Sequence, residues 1–274
     1  MRPAKLNKIS LLVTLTLLCV VGPVRAEEIV VSAAASLTDA MKEIGKEFEK
    51  RNPGTTVQFN FGASGALQQQ IEKGAPVDVF ASAGVKEMDA LAAKGKLDAA
   101  TRFDFAGNSL VLLVPAGKRS IKWEDLAGAG IQRIAISNPD SVPSGRYAKE
   151  TLTRKNLWTA VQAKAVLGQN VRQTLTYIAN GEVDAGIVFA TDAFIEKRRV
   201  TIAQTAIPVK DHDPIVYPVA AIAGSQHAAV ARSFVTFLKD RTAQSILKRF
   251  GFTLPEKKKG IVPNGIRKAF ASLQ

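Results

Sequence analysis

The chain has 274 residues, 46% of them hydrophobic, with 37 basic against 24 acidic side chains. The resulting charge of +13 favours anionic partners. Nucleic acid is excluded as the expected partner, because the basic residues are not interleaved with aromatics and the first segment directs export.

That segment is read first. Arg2, Lys5 and Lys8 make a positive start, and Ile9 to Val21 is apolar apart from Ser10, Thr14 and Thr16. Gly22-Pro23 breaks the run, and Val24-Arg25-Ala26 offers small residues at the cleavage positions. The pattern predicts a secretory signal peptide, residues 1–26, cut after Ala26 and delivering the chain to the periplasm. The apolar run is shorter than the about 20 residues that cross a bilayer. Leu18 is bulky where a lipid attachment signal before Cys19 would have a small residue. Cys19 is the only cysteine, so the exported chain has no disulfide, thiol nucleophile or thiolate metal site. Removal of residues 1–26 takes away four cations and no acids, leaving 33 basic against 24 acidic residues. The remaining length suits one large domain or two lobes.

Short β-rich runs then alternate with helical patterns. Glu28 to Ser32 reads as a strand, and Leu37, Met41, Ile44 and Phe48 set a helical period up to Arg51. Asn52-Pro53-Gly54 ends it. Thr55 to Phe61 is a strand, Ala66 to Lys73 a helix, Val77 to Ala81 a strand and Val85 to Lys94 a helix. A second set starts with Leu110 to Val114, apolar throughout, as in a strand buried on both faces. Strands at Ile134–Ile136, Lys164–Leu167 and Ala185–Phe189 alternate with helices at Arg146–Lys155 and Val171–Ala179. Val216 to Ala223 is a further apolar run, and two helices fill Gln226 to Phe250. The alternation predicts an α/β protein with mixed, mostly parallel sheets flanked by helices. Two sets suggest two lobes. The final helices carry no strands of their own and are expected to return to the first lobe through a crossover near Tyr217 to Val219. The expected division is 27–107 plus 219–274 for lobe one and 108–218 for lobe two.

Enzyme chemistry is not expected. His212 and His227 are the only histidines, and His212 sits in Lys210-Asp-His-Asp213, read as a solvated polar turn. Gly62-Ala-Ser-Gly-Ala66 resembles a nucleophile elbow but has Ala66 where that motif needs glycine. There is no Walker loop and no dinucleotide fingerprint.

Several strand ends instead run into helix starts through serine and glycine: Val31 to Ser36, Phe61 to Gly65, Val142 to Gly145, and Gly168 to Val171. A helix start offers N–H groups without intrahelical partners and a partial positive charge, hence a ready anion site. A single such start is an ordinary N-cap. Four in one exported α/β chain point towards an anion.

The residues at these places also resemble a known family. Ala33-Ala-Ala-Ser-Leu-Thr-Asp-Ala-Met41, Gly74-Ala-Pro-Val-Asp-Val-Phe80, Gly107-Asn-Ser-Leu-Val111, Val142-Pro-Ser-Gly-Arg-Tyr-Ala-Lys-Glu150, Gly186-Ile-Val-Phe-Ala-Thr-Asp192 and Arg249-Phe-Gly-Phe-Thr253 closely resemble the periplasmic molybdate-binding proteins of ABC transporters. The resemblance runs in order from Ile29 to Leu254. It implies the two-lobed periplasmic binding protein fold (type II), with the oxyanion in the cleft. It also implies a monomer with no cofactor, which binds molybdate or tungstate and hands it to the membrane permease subunits of an ABC transporter. The implied ligand set is Ser36 and Ser64, through hydroxyl and backbone donors, with the N–H groups of Ser144 and Val171. Molybdenum would be held only through its oxygens. The family usually has tyrosine where this chain has Phe189, which keeps the ring but loses the donor. Ser144 stands where the family often has alanine, and its extra hydroxyl is a candidate replacement. Because of these two changes, a same-fold receptor for sulfate or chromate is the alternative. The basic tail 256–274 lies beyond the resemblance and is expected to be a solvated extension.

Overall fold

A computed structural model describes residues 27–254. The expected signal peptide, its cleavage after Ala26, Cys19 and the tail from 256 lie outside the described residues.

Ten strands form two five-stranded sheets. The first has the order β2-β1-β3-β10-β4, with β1 (Glu27–Ala34), β2 (Thr55–Gly62), β3 (Val79–Ala81), β4 (Phe103–Gly107) and β10 (Val216–Ala221). The second has the order β7-β6-β8-β5-β9, with β5 (Leu110–Pro115), β6 (Ile134–Ser137), β7 (Ala165–Gly168), β8 (Ala185–Phe189) and β9 (Val200–Thr205). The two sheets repeat one plan. Each has parallel pairs on one side, β1 with β2 and β3, or β6 with β7 and β8. Each is completed by antiparallel pairs, β10 with β3 and β4, or β5 with β8 and β9.

The chain leaves the first sheet after Gly107 and resumes pairing with it at Val216. A clasp lies beside this crossing, where Gly107 and Thr253 exchange backbone hydrogen bonds of 2.7 and 3.0 Å. Helices α1 (Thr38–Arg51), α8 (Ala228–Phe237) and α9 (Arg241–Arg249) cover the first sheet. Phe48 meets Phe234 edge-on at 5.1 Å within that layer. All six residues of β5 are buried, which explains its uninterrupted apolar run.

The reading of Lys210 to Asp213 as a solvated turn is corrected. Asp211 and His212 are buried. The Asp211 carboxylate accepts from Ile207 N–H at 2.8 Å and pairs with Lys155 at 2.9 Å. The His212 ring packs edge-on against Tyr147, 5.8 Å between centroids. Asp211 enters the interior because its charge finds these partners there, whereas His212 Nδ1 lies 2.7 Å from Asp213 O and its buried Nε2 has no hydrogen-bond partner. Among the described residues, no cluster of three or more His, Cys, Asp or Glu could hold a metal ion.

Candidate functional site

The site lies where strands end and helices begin. β1 runs into a single 3₁₀ turn, Ala35–Leu37, that carries Ser36. β2 is followed by α2 (Ser64–Glu72). β6 leads to α4 (Pro143–Arg154), β7 to α6 (Val171–Ala179), and β8 ends on Phe189. All of these are carboxyl ends of strands, the edge at which open α/β sheets bind ligands.

Ser36, Ser64, Ser144, Val171 and Phe189 border one small cavity between the two sheets. The first two come from the first sheet's connections and the last three from the second's. Seven alanine, glycine, valine and proline residues complete the lining, and no charged side chain is among them. Its volume of ≈ 10 Å³ is far below the range of about 300–1,000 Å³ for drug-sized ligands. The cavity suits a small ion. A larger groove near Asp78 and His227 lies away from these helix starts, and its Asp78 is already satisfied by Ser225 Oγ at 2.6 Å and Val30 N–H at 2.7 Å.

The helix starts are not ordinarily capped. The N-cap of α2 is Ala63 and that of α4 is Val142, and neither offers a side-chain acceptor. Ser64 and Ser144 are instead the first and second residues of their helices. Their N–H groups, like that of Val171 opening α6, have no carbonyl partner within the helix. Of these three helices, α6 alone has a conventional side-chain cap, Asn170 accepting from Gln173 N–H at 3.0 Å.

The hydroxyls divide into two kinds. Ser64 Oγ accepts from Ala83 N–H at 3.0 Å, which leaves its proton for the cavity. Ser36 Oγ lies 3.0 Å from the Tyr217 hydroxyl. Ser144 behaves differently from the sequence expectation. Its Oγ donates to Ser137 Oγ at 2.8 Å, which lies 2.8 Å from Thr174 Oγ1, and Thr174 in turn donates to Asn170 O at 3.1 Å. The Ser144 proton is drawn into this chain, so the hydroxyl does not stand in for the one absent at Phe189.

Charge is kept one layer back and neutralised. Arg172 Nη2 is 2.7 Å from Asp39 Oδ2, and Nε is 2.8 Å from Asp192 Oδ1. Burial pushes the Asp192 carboxyl up to about 6, opposed by Arg172. Arg146 grips Glu87 with both nitrogens, at 2.7 and 2.8 Å. Both ion groups join the two sheets' helices, and Gly65 N–H donates across the same gap to Ser141 O at 3.0 Å. A Cβ on Gly65 would lie 2.6 Å from that carbonyl, so glycine permits the approach. The sequence reading missed Tyr217, Asn108, the Ser137–Thr174 pair and these ion pairs, all set by long-range packing. The one local sign was Asn108, inside the Gly107-Asn-Ser motif.

A neutral cavity lined by hydroxyls and helix starts lies between the strand ends of two matched sheets, the architecture of a two-lobed solute-binding protein. The profile of bacterial extracellular solute-binding proteins matches residues 29–253, and the chain belongs to that family. It is a family of solute-binding transport proteins rather than of enzymes. The chain is 37% identical to the molybdate-binding protein ModA of Haemophilus influenzae over 232 residues, 82% of this chain and 90% of that one. It is 40% identical over 225 residues to YvgL of Bacillus subtilis, provisionally described as an ABC transporter substrate-binding lipoprotein, covering 81% of this chain and 85% of that one. Among solved structures, the periplasmic molybdate-binding protein of Azotobacter vinelandii superposes with a TM-score of 0.74 at 28% identity, covering 83% of this chain and all of that one.

Proposed function

We propose that this protein binds molybdate, and tungstate with it, between its two lobes and delivers the anion to the permease subunits of an ABC importer. The observation that carries the reading is the single cavity onto which Ser36, Ser64, Ser144 and Val171 converge. The relatives named for molybdate support it.

The donor set explains the selectivity. Hydroxyl protons and helix-start N–H groups satisfy a fully deprotonated tetrahedral oxyanion. Monohydrogen phosphate would bring a P–O–H that needs an acceptor, and leaving such a buried group unpaired costs about 1–3 kcal/mol. Neutral donors at helix ends stabilise the charge without a lysine or arginine in the cavity. The first lobe takes residues 27–107 and the chain from Val216, three residues before the expected 219, because Val216 to Pro218 already pair with β4; the second takes 108–215, and the two close on the anion as a monomer. The exported form begins at Glu27 in the periplasm.

Phe189 favours one second reading. The hydroxyl that the resembling proteins carry there is absent, which would permit a shift towards another deprotonated tetrahedral anion such as sulfate or chromate. Melting the protein from Glu27 onward with molybdate, tungstate, sulfate or phosphate at equal ionic strength separates these. An anion at a hundred times its Kd adds about 2.7 kcal/mol, or roughly 5–10 °C at this size. A rise with molybdate and tungstate but not phosphate is expected. A rise with sulfate alone would replace molybdate in the proposal, and no rise with any anion would remove it.

A further inference from the structure

We infer that Tyr217 is a positioning residue for the anion site: its phenol proton is given to Ser36 Oγ, which commits the Ser36 proton to the cavity. The inference rests on the cavity being the oxyanion site.

The argument starts at Asn108, which is buried at the crossing between the sheets. Ser109 N–H donates to its side-chain oxygen at 2.9 Å. A backbone N–H can only donate, so that atom must be the oxygen and the orientation of the amide is settled. The amide nitrogen then donates its two protons, to Thr191 Oγ1 at 2.9 Å and to Tyr217 Oη at 3.0 Å. Tyr217 Oη is thus already an acceptor, and its own proton needs a partner. Ser36 Oγ, 3.0 Å away, supplies it. With that lone pair occupied, the remaining Ser36 proton has the cavity as its outlet.

The phenol is held for this task. Tyr217 is fully buried, with Phe252 at 5.4 Å, Phe189 at 5.9 Å and Phe105 at 6.4 Å between ring centroids. Burial also pushes its hydroxyl well above the usual tyrosine range, so it remains a proton donor at any working pH. Ser64 is arranged to the same end by different means, since Ala83 N–H donates to its Oγ. Both serines accept from the protein and are left to donate inward. In this account Phe189 does not leave the site without a tyrosine hydroxyl. One acts from behind Ser36.

The test is a double-mutant cycle on molybdate affinity, with the melting temperature of the anion-free protein recorded for each variant. Tyr217→Phe keeps the ring and should weaken binding about five- to tenfold, the scale of one neutral hydrogen bond. In a Ser36→Ala background the same change should alter affinity less than about twofold, because nothing remains to be positioned. An equal loss in both backgrounds would mean that Tyr217 acts through packing, and no loss in either would end the proposal. Should Tyr217→Phe fail to fold, neutron diffraction of the unsubstituted, deuterated protein decides the matter. A deuteron on Tyr217 Oη aimed at Ser36 supports the relay, and one on Ser36 aimed at Tyr217 overturns it. Failure of the unsubstituted protein to bind molybdate or tungstate would instead remove the oxyanion reading, and the neutron map would still settle the direction of the bond.

Discussion

Ser64→Ala and Ser144→Ala remove the same atom from two helix starts that border one cavity, yet they should behave differently. Ser64 Oγ accepts from Ala83 N–H at 3.0 Å and keeps its proton for the anion. Its loss removes one hydrogen bond to a charged group, about 1.5–3 kcal/mol, so Kd should rise roughly 10- to 150-fold. It also strands the Ala83 N–H, at about 1–3 kcal/mol of stability, or a fall of roughly 2–10 °C in the anion-free protein. Ser144 Oγ donates to Ser137 Oγ at 2.8 Å and offers the cavity only its backbone N–H. Ser144→Ala retains that N–H, so molybdate affinity should stay within about twofold, with a stability loss near 1 kcal/mol. Calorimetric titration with molybdate, paired with melting in its absence, separates the two effects. Equal affinity losses in both variants would refute the assignment of hydroxyl directions.

Other consequences follow from the surrounding layer. Glu87→Gln breaks the two-pronged contact with Arg146 and should cost about 1–3 kcal/mol in urea unfolding, less than the about 3–5 of a fully buried pair because Arg146 keeps some access to water. Glu47→Gln, whose partner Lys50 is exposed, should leave the unfolding midpoint unchanged, since an exposed pair is screened by water, and similar losses in both would deny Glu87 a special role. Asp192 has its carboxyl raised to about 6 by burial, against an ordinary 3.8. Between those values the native state holds the proton more tightly than the unfolded chain, so this group's stabilising contribution is present below about pH 4 and is lost as pH rises through about 6. D192N should remove that falling component from a melting-temperature profile over pH 4–7, and an unchanged profile would contradict it. In Gly145→Ala a Cβ would lie 2.1 Å from Ser137 O, displacing the start of α4 at about 1–3 kcal/mol with a loss of anion affinity, whereas Gly130→Ala meets nothing within 4 Å and should be neutral.

Elements with local signatures were legible from the sequence. β5 is apolar at every position because both faces are covered, and α1 shows its period because one face meets the core. β9 was not read, since it is an edge strand with exposed Thr201 and Ile202 and no sustained alternation. β4, five residues with Asp104 exposed, was missed for a similar reason. The serines at helix starts were visible because strand-to-helix junctions have a local composition. Their hydroxyl directions were not, because each depends on a group remote in sequence, such as Tyr217, 181 positions from Ser36. The burial of His212 was hidden by its charged neighbours, whose partner Lys155 lies on a separate stretch of chain.

The central claim is that the anion sits where the two sheets' helix starts converge. A tungstate complex located by anomalous scattering tests it most directly, since the metal marks the centre of the ion. The account predicts one strong peak in the cavity, with oxygens in hydrogen-bond reach of Ser36 Oγ, Ser64 Oγ and the N–H groups of Ser144 and Val171. A peak confined to the basic surface, such as beside Lys96 in the outer groove, or no peak in the cavity at saturating tungstate, would contradict it.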